Sequence, residues 1–102
     1  MSPNPPSLQI QYCYRPIRTA ARPEPPVSAC RDVDPDCSRI FYLSPQDRKN
    51  NLNESMDYRI SSRCYKKDFL HFAIKRCPST CAFCCKLPQF DCSDGSFLLL
   101  PF

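Results

Sequence analysis

Nine of the 102 residues are cysteine and only one is glycine. A cysteine content of about 9% in a short chain is typical of a disulfide scaffold. A chain of this length forms one small domain, which buries only about two-thirds of its unfolded surface, so covalent bridges matter. The length excludes a (β/α)8 barrel, and one glycine excludes the Gly-rich dinucleotide and phosphate loops. We therefore expect a small disulfide-rich fold of short helices and turns.

The charge and the apolar segments limit the class of partner and the compartment. The net charge is +4 and the pI is about 8.6, below the pI of about 9 that is common in nucleic-acid-binding domains, so we expect no nucleic-acid partner. Disulfides persist in oxidising compartments, which predicts a secreted, extracellular protein. Residues 1–12 have neither the basic start nor the apolar run of a signal peptide, so we expect the signal to be removed or truncated. No segment approaches the roughly 18 apolar residues of a membrane span.

The proline distribution divides the chain into three parts. Seven of the 12 prolines fall within residues 1–29, which we predict to be an extended N-terminal arm or linker because proline has no N–H for a regular ladder. Within it, apolar residues alternate with two glutamines from Leu8 to Tyr12, which also allows a short strand. Residues 30–84 form the disulfide module, and residues 85–102 form a C-terminal tail.

A long polar stretch, residues 44–63, is predicted to be a loop that begins with a helical turn at Ser44, since Pro45 suits the first helical position. The loop contains Asn53-Glu54-Ser55, which fits the N-glycosylation pattern. Asn53 is therefore a candidate glycosylation site.

The clearest helix is predicted over Lys66–Arg76. Its apolar positions fall on one face, and Pro78 ends the helix at or before Cys77. The basic residues lie mostly outside that face: Lys66, Lys67, Lys75 and Arg76. The helix is therefore expected to pack on the core and to present a cationic surface.

The close spacing Cys77-x3-Cys81-x2-Cys84 is open to three chemistries. An iron–sulfur triplet of the kind that cleaves S-adenosylmethionine needs a barrel that this chain is too short to build. Zinc could be held by Cys81 and Cys84 with Cys64, Cys77 or His71, but a zinc ribbon normally brings two CxxC pairs and this chain has one. Disulfides are therefore favoured, with no metal and no cofactor, and six cysteines allow 15 connectivities.

The six cysteines from Cys30 to Cys84 read C-x6-C-x26-C-x12-C-x3-C-x2-C, with Asp32 after the first and Thr80 before the fifth. This pattern resembles the ShK-toxin-like (ShKT) domain of sea-anemone potassium-channel toxins and secreted worm proteins. The resemblance covers residues 30–84. It implies three disulfides: Cys30–Cys84, Cys37–Cys77 and Cys64–Cys81.

The chain departs from the family pattern at three places. The 26-residue interval between the second and third cysteines is unusually long, although longer loops cost little closure entropy. Ala82 replaces a glycine. The segment between the fourth and fifth cysteines lacks the basic residue that can pair with the early aspartate, so Asp32 has no predicted partner.

Three cysteines lie outside the six. Cys85–Cys92 would close a small loop and leave Cys13 for a disulfide-linked partner. Cys13–Cys92 and Cys13–Cys85 are the alternatives, and the odd number suggests an intermolecular bridge or a missing part of the chain.

The toxins block a potassium channel with a lysine followed by an aromatic residue, and the matching positions here are His71 and Phe72. Histidine is mostly neutral at pH 7.4, so the fixed charge is lost. The nearby cations remain as channel-binding candidates: Lys66, Lys67 and Lys75. Residues 55–60 also look like the toxin segment, with Asp57 in the lysine position, and we interpret that match as chance.

The sequence therefore predicts a secreted, disulfide-stabilised interaction module of ShKT type that binds an extracellular protein. We expect no catalysis, because the single histidine, His71, lies on a helix among apolar residues and suits a structural role better. Two alternatives remain open: a potassium-channel modulator of toxin type, and an accessory-domain fragment of a larger extracellular enzyme.

Overall fold

A computed structural model describes residues 6–93 and the side chains of residues 6–90. This part of the chain is a small disulfide-rich fold of short elements, as expected. In chain order these are β1 Ser7–Gln9, β2 Tyr14–Ile17, β3 Ala20–Pro23, α1 Cys37–Ile40, α2 Pro45–Asn51, β4 Arg59–Ser61 and α3 Lys67–Arg76. Short 3₁₀ turns cover Val27–Ala29, Ser62–Tyr65, Cys84–Lys86 and Pro88–Ser93.

The N-terminal residues are part of the fold rather than the expected extended arm. β1 pairs antiparallel with β4, with Ser7 opposite Ser61, and β2 and β3 form an antiparallel hairpin. Ile10 is 1% exposed and belongs to the core, and its N–H donates to the Tyr58 carbonyl at 2.9 Å. Residues 6–29 therefore contribute core and sheet, whereas residues 1–5 lie outside the described residues.

The hairpin accommodates its prolines because both occupy pairs that exchange no backbone hydrogen bonds. In a hairpin with a two-residue turn, the two residues that flank the turn form a hydrogen-bonded pair. Hydrogen-bonded and non-hydrogen-bonded pairs then alternate along the two strands, so Pro16 and Pro23 both fall in non-hydrogen-bonded pairs. Ala21 lies opposite Pro16, and its backbone N–H and carbonyl point away from β2. On that side its carbonyl accepts a hydrogen bond from the Tyr58 N–H at 2.9 Å. Proline content alone therefore predicted the wrong structure here.

Local capping rules set the start of α2. The Ser44 hydroxyl accepts from the Asp47 N–H at 3.1 Å, and Pro45 occupies the first helical position as predicted. The helix extends to Asn51, so the predicted helical turn is a full short helix. The side chain of Asn51 is buried and exchanges two 2.9 Å hydrogen bonds with the main chain of Arg59 at the start of β4.

Helix α3 packs on the core through the face that its apolar spacing predicts. Ala73 is fully buried, and the rings of Phe69 and Phe72 each lie 6.2 Å from that of Phe41. The helix ends at Cys77, one residue before Pro78. Within the described residues, no helix is long and apolar enough to cross a membrane.

Three disulfides join the pairs that the ShKT resemblance implied: Cys30–Cys84, Cys37–Cys77 and Cys64–Cys81. Their sulfurs form the centre of the core, since Cys64, Cys77 and Cys81 are all 0% exposed. Because these cysteines are oxidised, their thiolates are not available for the alternative zinc site.

The fourth disulfide corrects the expected Cys85–Cys92 loop. Cys85 is bonded to Cys13, with their Cα atoms 5.4 Å apart, inside the range that a disulfide needs. The hairpin brings the two together, because the Cys13 carbonyl accepts from the Glu24 N–H at 2.8 Å and continues the β2–β3 ladder to this point. Cys13 is therefore paired within the chain, and the side chain of Cys92 lies outside the described residues.

Candidate interaction surface

Helix α3 is covalently held at both ends. Cys64 lies in the turn before the helix and is bonded to Cys81, and Cys77 follows the last helical residue and is bonded to Cys37. The carbonyl of Arg76 accepts from two successive backbone N–H groups, those of Val33 and Asp34, at 2.8 and 3.1 Å. These contacts satisfy a C-terminal carbonyl and fix the helix orientation.

The outer face of α3 carries exposed basic side chains. Lys67, His71 and Lys75 are spaced four residues apart and all exposed, so they form one stripe along the helix. Lys66 and Arg76 are also exposed, and Leu70 adds a side chain that is 36% exposed. The surface is therefore cationic with an apolar contribution. We call Lys66, Lys67, Leu70, His71 and Lys75 the α3 face.

Two of these lysines stand where helix electrostatics disfavour them. Lys66 is the N-cap and makes no side-chain capping hydrogen bond, and Lys67 is the first helical residue. Positive charge at a helix N-terminus opposes the macrodipole, at a cost of a few tenths of a kcal/mol or more per charge. Asp68 in the first turn offsets part of this cost. Helix stability alone would therefore not select this pair.

The structure places His71 and Phe72, the predicted toxin-like pair, in different environments. His71 is exposed, whereas Phe72 is partly buried and packs on Phe41. The Phe72 ring is therefore committed to the core and does not stand free beside His71.

The second toxin-like segment, residues 55–60, is structural. Asp57 accepts a 2.8 Å hydrogen bond from the Ala21 N–H, which fixes the segment to β3. Tyr58 packs under the guanidinium of Arg22, 5.2 Å from the ring centroid, and burial raises the pKa of its hydroxyl. This supports its interpretation as a chance match.

Asp32 accepts three hydrogen bonds from Ser79 and Thr80, which the sequence analysis did not predict. One carboxylate oxygen accepts from the N–H groups of Ser79 and Thr80, each at 2.9 Å, and the other accepts from the Thr80 hydroxyl. The carboxylate thereby joins the segment after Cys30 to the turn that carries Cys81. The signal was in the sequence, because Asp is a good acceptor for exposed N–H groups at a turn.

Arg22 was also missed, and it organises the long interval between Cys37 and Cys64. Its guanidinium donates to three main-chain carbonyls, those of Asn51, Asn53 and Met56, at 2.8, 3.3 and 3.1 Å. The loop that follows α2 is therefore held through its backbone. Its side chains point outward: Leu52 is 84% exposed and Asn53 is exposed.

A cleft of about 570 Å³ lies between the hairpin, α1 and α2. Its walls include Phe41, Leu43 and Tyr58, with Arg22, Arg48 and Glu54 among the polar groups. The volume is within the range of small-molecule pockets. Among the described residues, no buried side-chain N or O atom lacks a hydrogen-bond partner. The cleft therefore has a suitable size, but its described walls hold no buried polar atom that is left without a partner for a ligand to satisfy.

Comparison with protein-family models, with curated proteins and with solved structures found no match to this chain. The class is therefore defined by the geometry alone: a small, cysteine-rich protein whose residues 6–93 hold four disulfides and a few short helices and strands.

Proposed function

We propose that this chain is a secreted, non-catalytic interaction module of ShKT type, and that it binds an acidic surface of an extracellular protein through the α3 face. The observation that carries the proposal is a helix fixed by a disulfide at each end with a row of exposed cations on its outer side. Four disulfides in a chain of this size are typical of extracellular proteins.

The disulfides favour binding because they remove an entropic cost. A helix that is already fixed in orientation does not have to be ordered when a partner docks, so more of the contact energy appears as affinity. The cations would also steer an acidic partner toward the face and raise the association rate, an effect that salt screens.

The unfavourable position of Lys66 and Lys67 gives a second argument. Cations that oppose the helix dipole lower the stability of the free protein. An acidic partner docked over the N-terminal end of α3 would neutralise these cations. The complex would then regain the stability that the free helix loses through their repulsion from the helix dipole. Leu70 lies one turn after Lys66 and supplies an apolar contact within the same face.

The test measures binding of the oxidised protein to an immobilised random copolymer of glutamate and tyrosine by biolayer interferometry. We expect affinity to fall with rising salt and the double variant Lys67→Glu/Lys75→Glu to bind at least about tenfold more weakly, which corresponds to about 1.4 kcal/mol. The matched control is Arg48→Glu/Lys49→Glu, which makes the same charge change on exposed residues of α2.

The comparison of the two double variants decides the outcome. Equal losses would show that net charge and not the α3 face governs binding, and the proposal would then fail. Thermal melting and a disulfide map of each variant establish that the four bridges and the fold are retained.

A further inference from the structure

The β2–β3 hairpin presents a second cluster of exposed side chains. All four residues of β2 are exposed, with Tyr14 at 46% and Ile17 at 40%, and so are the two turn residues, Arg18 and Thr19. The hairpin is fixed at two places. Cys13 at its base is bonded to Cys85, and Arg22 on β3 donates hydrogen bonds to main-chain carbonyls at the end of α2 and in the loop that follows it. It is therefore a preorganised projection whose outer strand faces solvent.

The turn residue Arg18 stands in an unfavourable backbone conformation. Its φ is 62°, in the left-handed region, at the first position of the two-residue turn between Ile17 and Ala20. A hairpin turn with positive φ at this position is normally built with glycine, which has no Cβ to clash. The only glycine of this chain is Gly95, so arginine adopts the conformation here at a cost in stability.

Packing does not account for arginine at this position, because the side chain of Arg18 is exposed and makes no ion pair or hydrogen bond among the described residues. A residue that lowers stability without an internal contact points to a use outside the chain. Its neighbour Arg15 is exposed as well, and its Nε lies 3.8 Å from a carboxylate oxygen of Glu24. Within the described residues, the tip therefore carries one guanidinium without an ion-pair partner, that of Arg18, and one that is weakly paired, that of Arg15.

We propose that Arg15 and Ile17, which share one face of β2, form a second docking surface together with Arg18 at the turn. This surface binds an acidic segment of an extracellular protein, and Arg18 makes the main contact. Arginine is among the residue types most enriched at binding hot spots, and its guanidinium fork matches a carboxylate in two parallel hydrogen bonds. Two guanidinium groups are too few for the clusters of four to eight cations that hold proteins on anionic membranes.

Binding at this surface would use side chains and not strand addition. The free edge of β2 contains Pro16, which has no N–H to donate to an added strand. The same residue disfavours edge-to-edge pairing of two copies. The partner is therefore a carboxylate-bearing surface, which contacts the side chains of the hairpin and does not pair with the backbone of β2.

The test combines stability and binding in one variant, Arg18→Gly. We expect its melting temperature to rise by about 2 to 6 °C, because glycine relieves the left-handed strain. We also expect its affinity for the immobilised glutamate–tyrosine copolymer to fall at least fivefold. Arg18→Lys should lie between parent and Arg18→Gly, since it keeps the charge and loses the fork.

The control is Ala82→Gly, which relieves a second positive φ, 56°, at a residue that is 3% exposed. It should bind the copolymer like the parent. Unchanged affinity of Arg18→Gly would overturn the proposal, and so would a melting temperature that does not rise. Tighter binding of the parent to phosphatidylserine vesicles or to duplex DNA than to the copolymer would overturn it as well.

The two proposals fail in different ways. If Lys67→Glu/Lys75→Glu weakens binding and Arg18→Gly does not, the hairpin surface is refuted and the α3 face stands. The reverse result refutes the α3 face and supports the hairpin.

Discussion

The disulfide between Cys13 and Cys85 gives the sharpest test of how the N-terminal residues belong to the fold. The change is the double variant Cys13→Ser/Cys85→Ser, which removes the bridge without leaving either of its two thiols free. Both side chains are only partly buried, so packing losses are small and the lost constraint on the unfolded chain dominates.

The expected loss in the free energy of unfolding depends on the other bridges. A lone bridge spanning 72 residues would contribute about 4.4 kcal/mol in the chain-entropy model. However, Cys84 is adjacent to Cys85 and is already bonded to Cys30 across 54 residues. The ring that the fourth bridge adds is the difference between these two separations, 18 residues, for which the same model gives about 3.2 kcal/mol.

The assay is reversible unfolding in guanidinium chloride and by heat with all other disulfides intact. A loss of about 3 kcal/mol corresponds to a fall in melting temperature of roughly 12 to 24 °C for a domain of this size. Hydrogen exchange should also speed up most at the β1–β4 pair and in the hairpin, because those elements lose their tether.

The comparison variant is Cys30→Ser/Cys84→Ser, which opens the same 18-residue ring at its other bridge. It should lose more stability, because Cys30 and Cys84 are 8% and 1% exposed and the two serines place polar hydroxyl groups in the core. A loss of less than about 1 kcal/mol in Cys13→Ser/Cys85→Ser would contradict the 18-residue ring, and so would a larger loss than in Cys30→Ser/Cys84→Ser.

Three further outcomes are expected. Asp32→Ala should lower the free energy of unfolding by about 3 kcal/mol in denaturant titrations, because a charged acceptor of three hydrogen bonds is lost, and Asp32→Asn by about half; equal stability of all three proteins would contradict this. Burial raises the pKa of Tyr58 and Tyr65 above the ordinary 10, so stability is full below pH 10 and falls as the pH rises from there through the folded-state pKa. Melting temperatures between pH 8 and 11 should show this decline, and it should be smaller in Tyr58→Phe. Secretion from a eukaryotic host should give a glycan at the exposed Asn53, seen as a glycosidase-sensitive mass that Ser55→Ala lacks; an unmodified parent would exclude the site.

Local signals predicted local structure well. Helix α3 was expected over Lys66–Arg76 and covers Lys67–Arg76, because its apolar spacing and the following proline act within a few residues. The start of α2 at Ser44 and Pro45 follows from capping in the same way. These features depend on neighbours in sequence, which the sequence displays directly.

Long-range pairing was harder to predict. Whether Pro16 and Pro23 break a strand depends on which pairs of the hairpin exchange hydrogen bonds, and that register is set by the turn at Arg18, which carries no glycine to mark it. The partner of Cys85 depends in turn on that hairpin, so the three alternatives were indistinguishable from spacing. The hydrogen bonds from Arg22 to main-chain carbonyls could not be predicted from side-chain types, because every residue has a carbonyl.

The four bridges share an asymmetry along the chain. Each joins one cysteine from the first 64 residues to one within residues 77–85, and no bridge connects two members of the earlier group: Cys13, Cys30, Cys37 and Cys64. During synthesis the N-terminal part emerges first, so four thiols are exposed to oxidation before any correct partner exists. Every bond formed at that stage must later be broken. Maturation of this protein should therefore depend on disulfide reshuffling after the last cysteines appear, and oxidative refolding of the full chain should proceed faster when a disulfide isomerase is present.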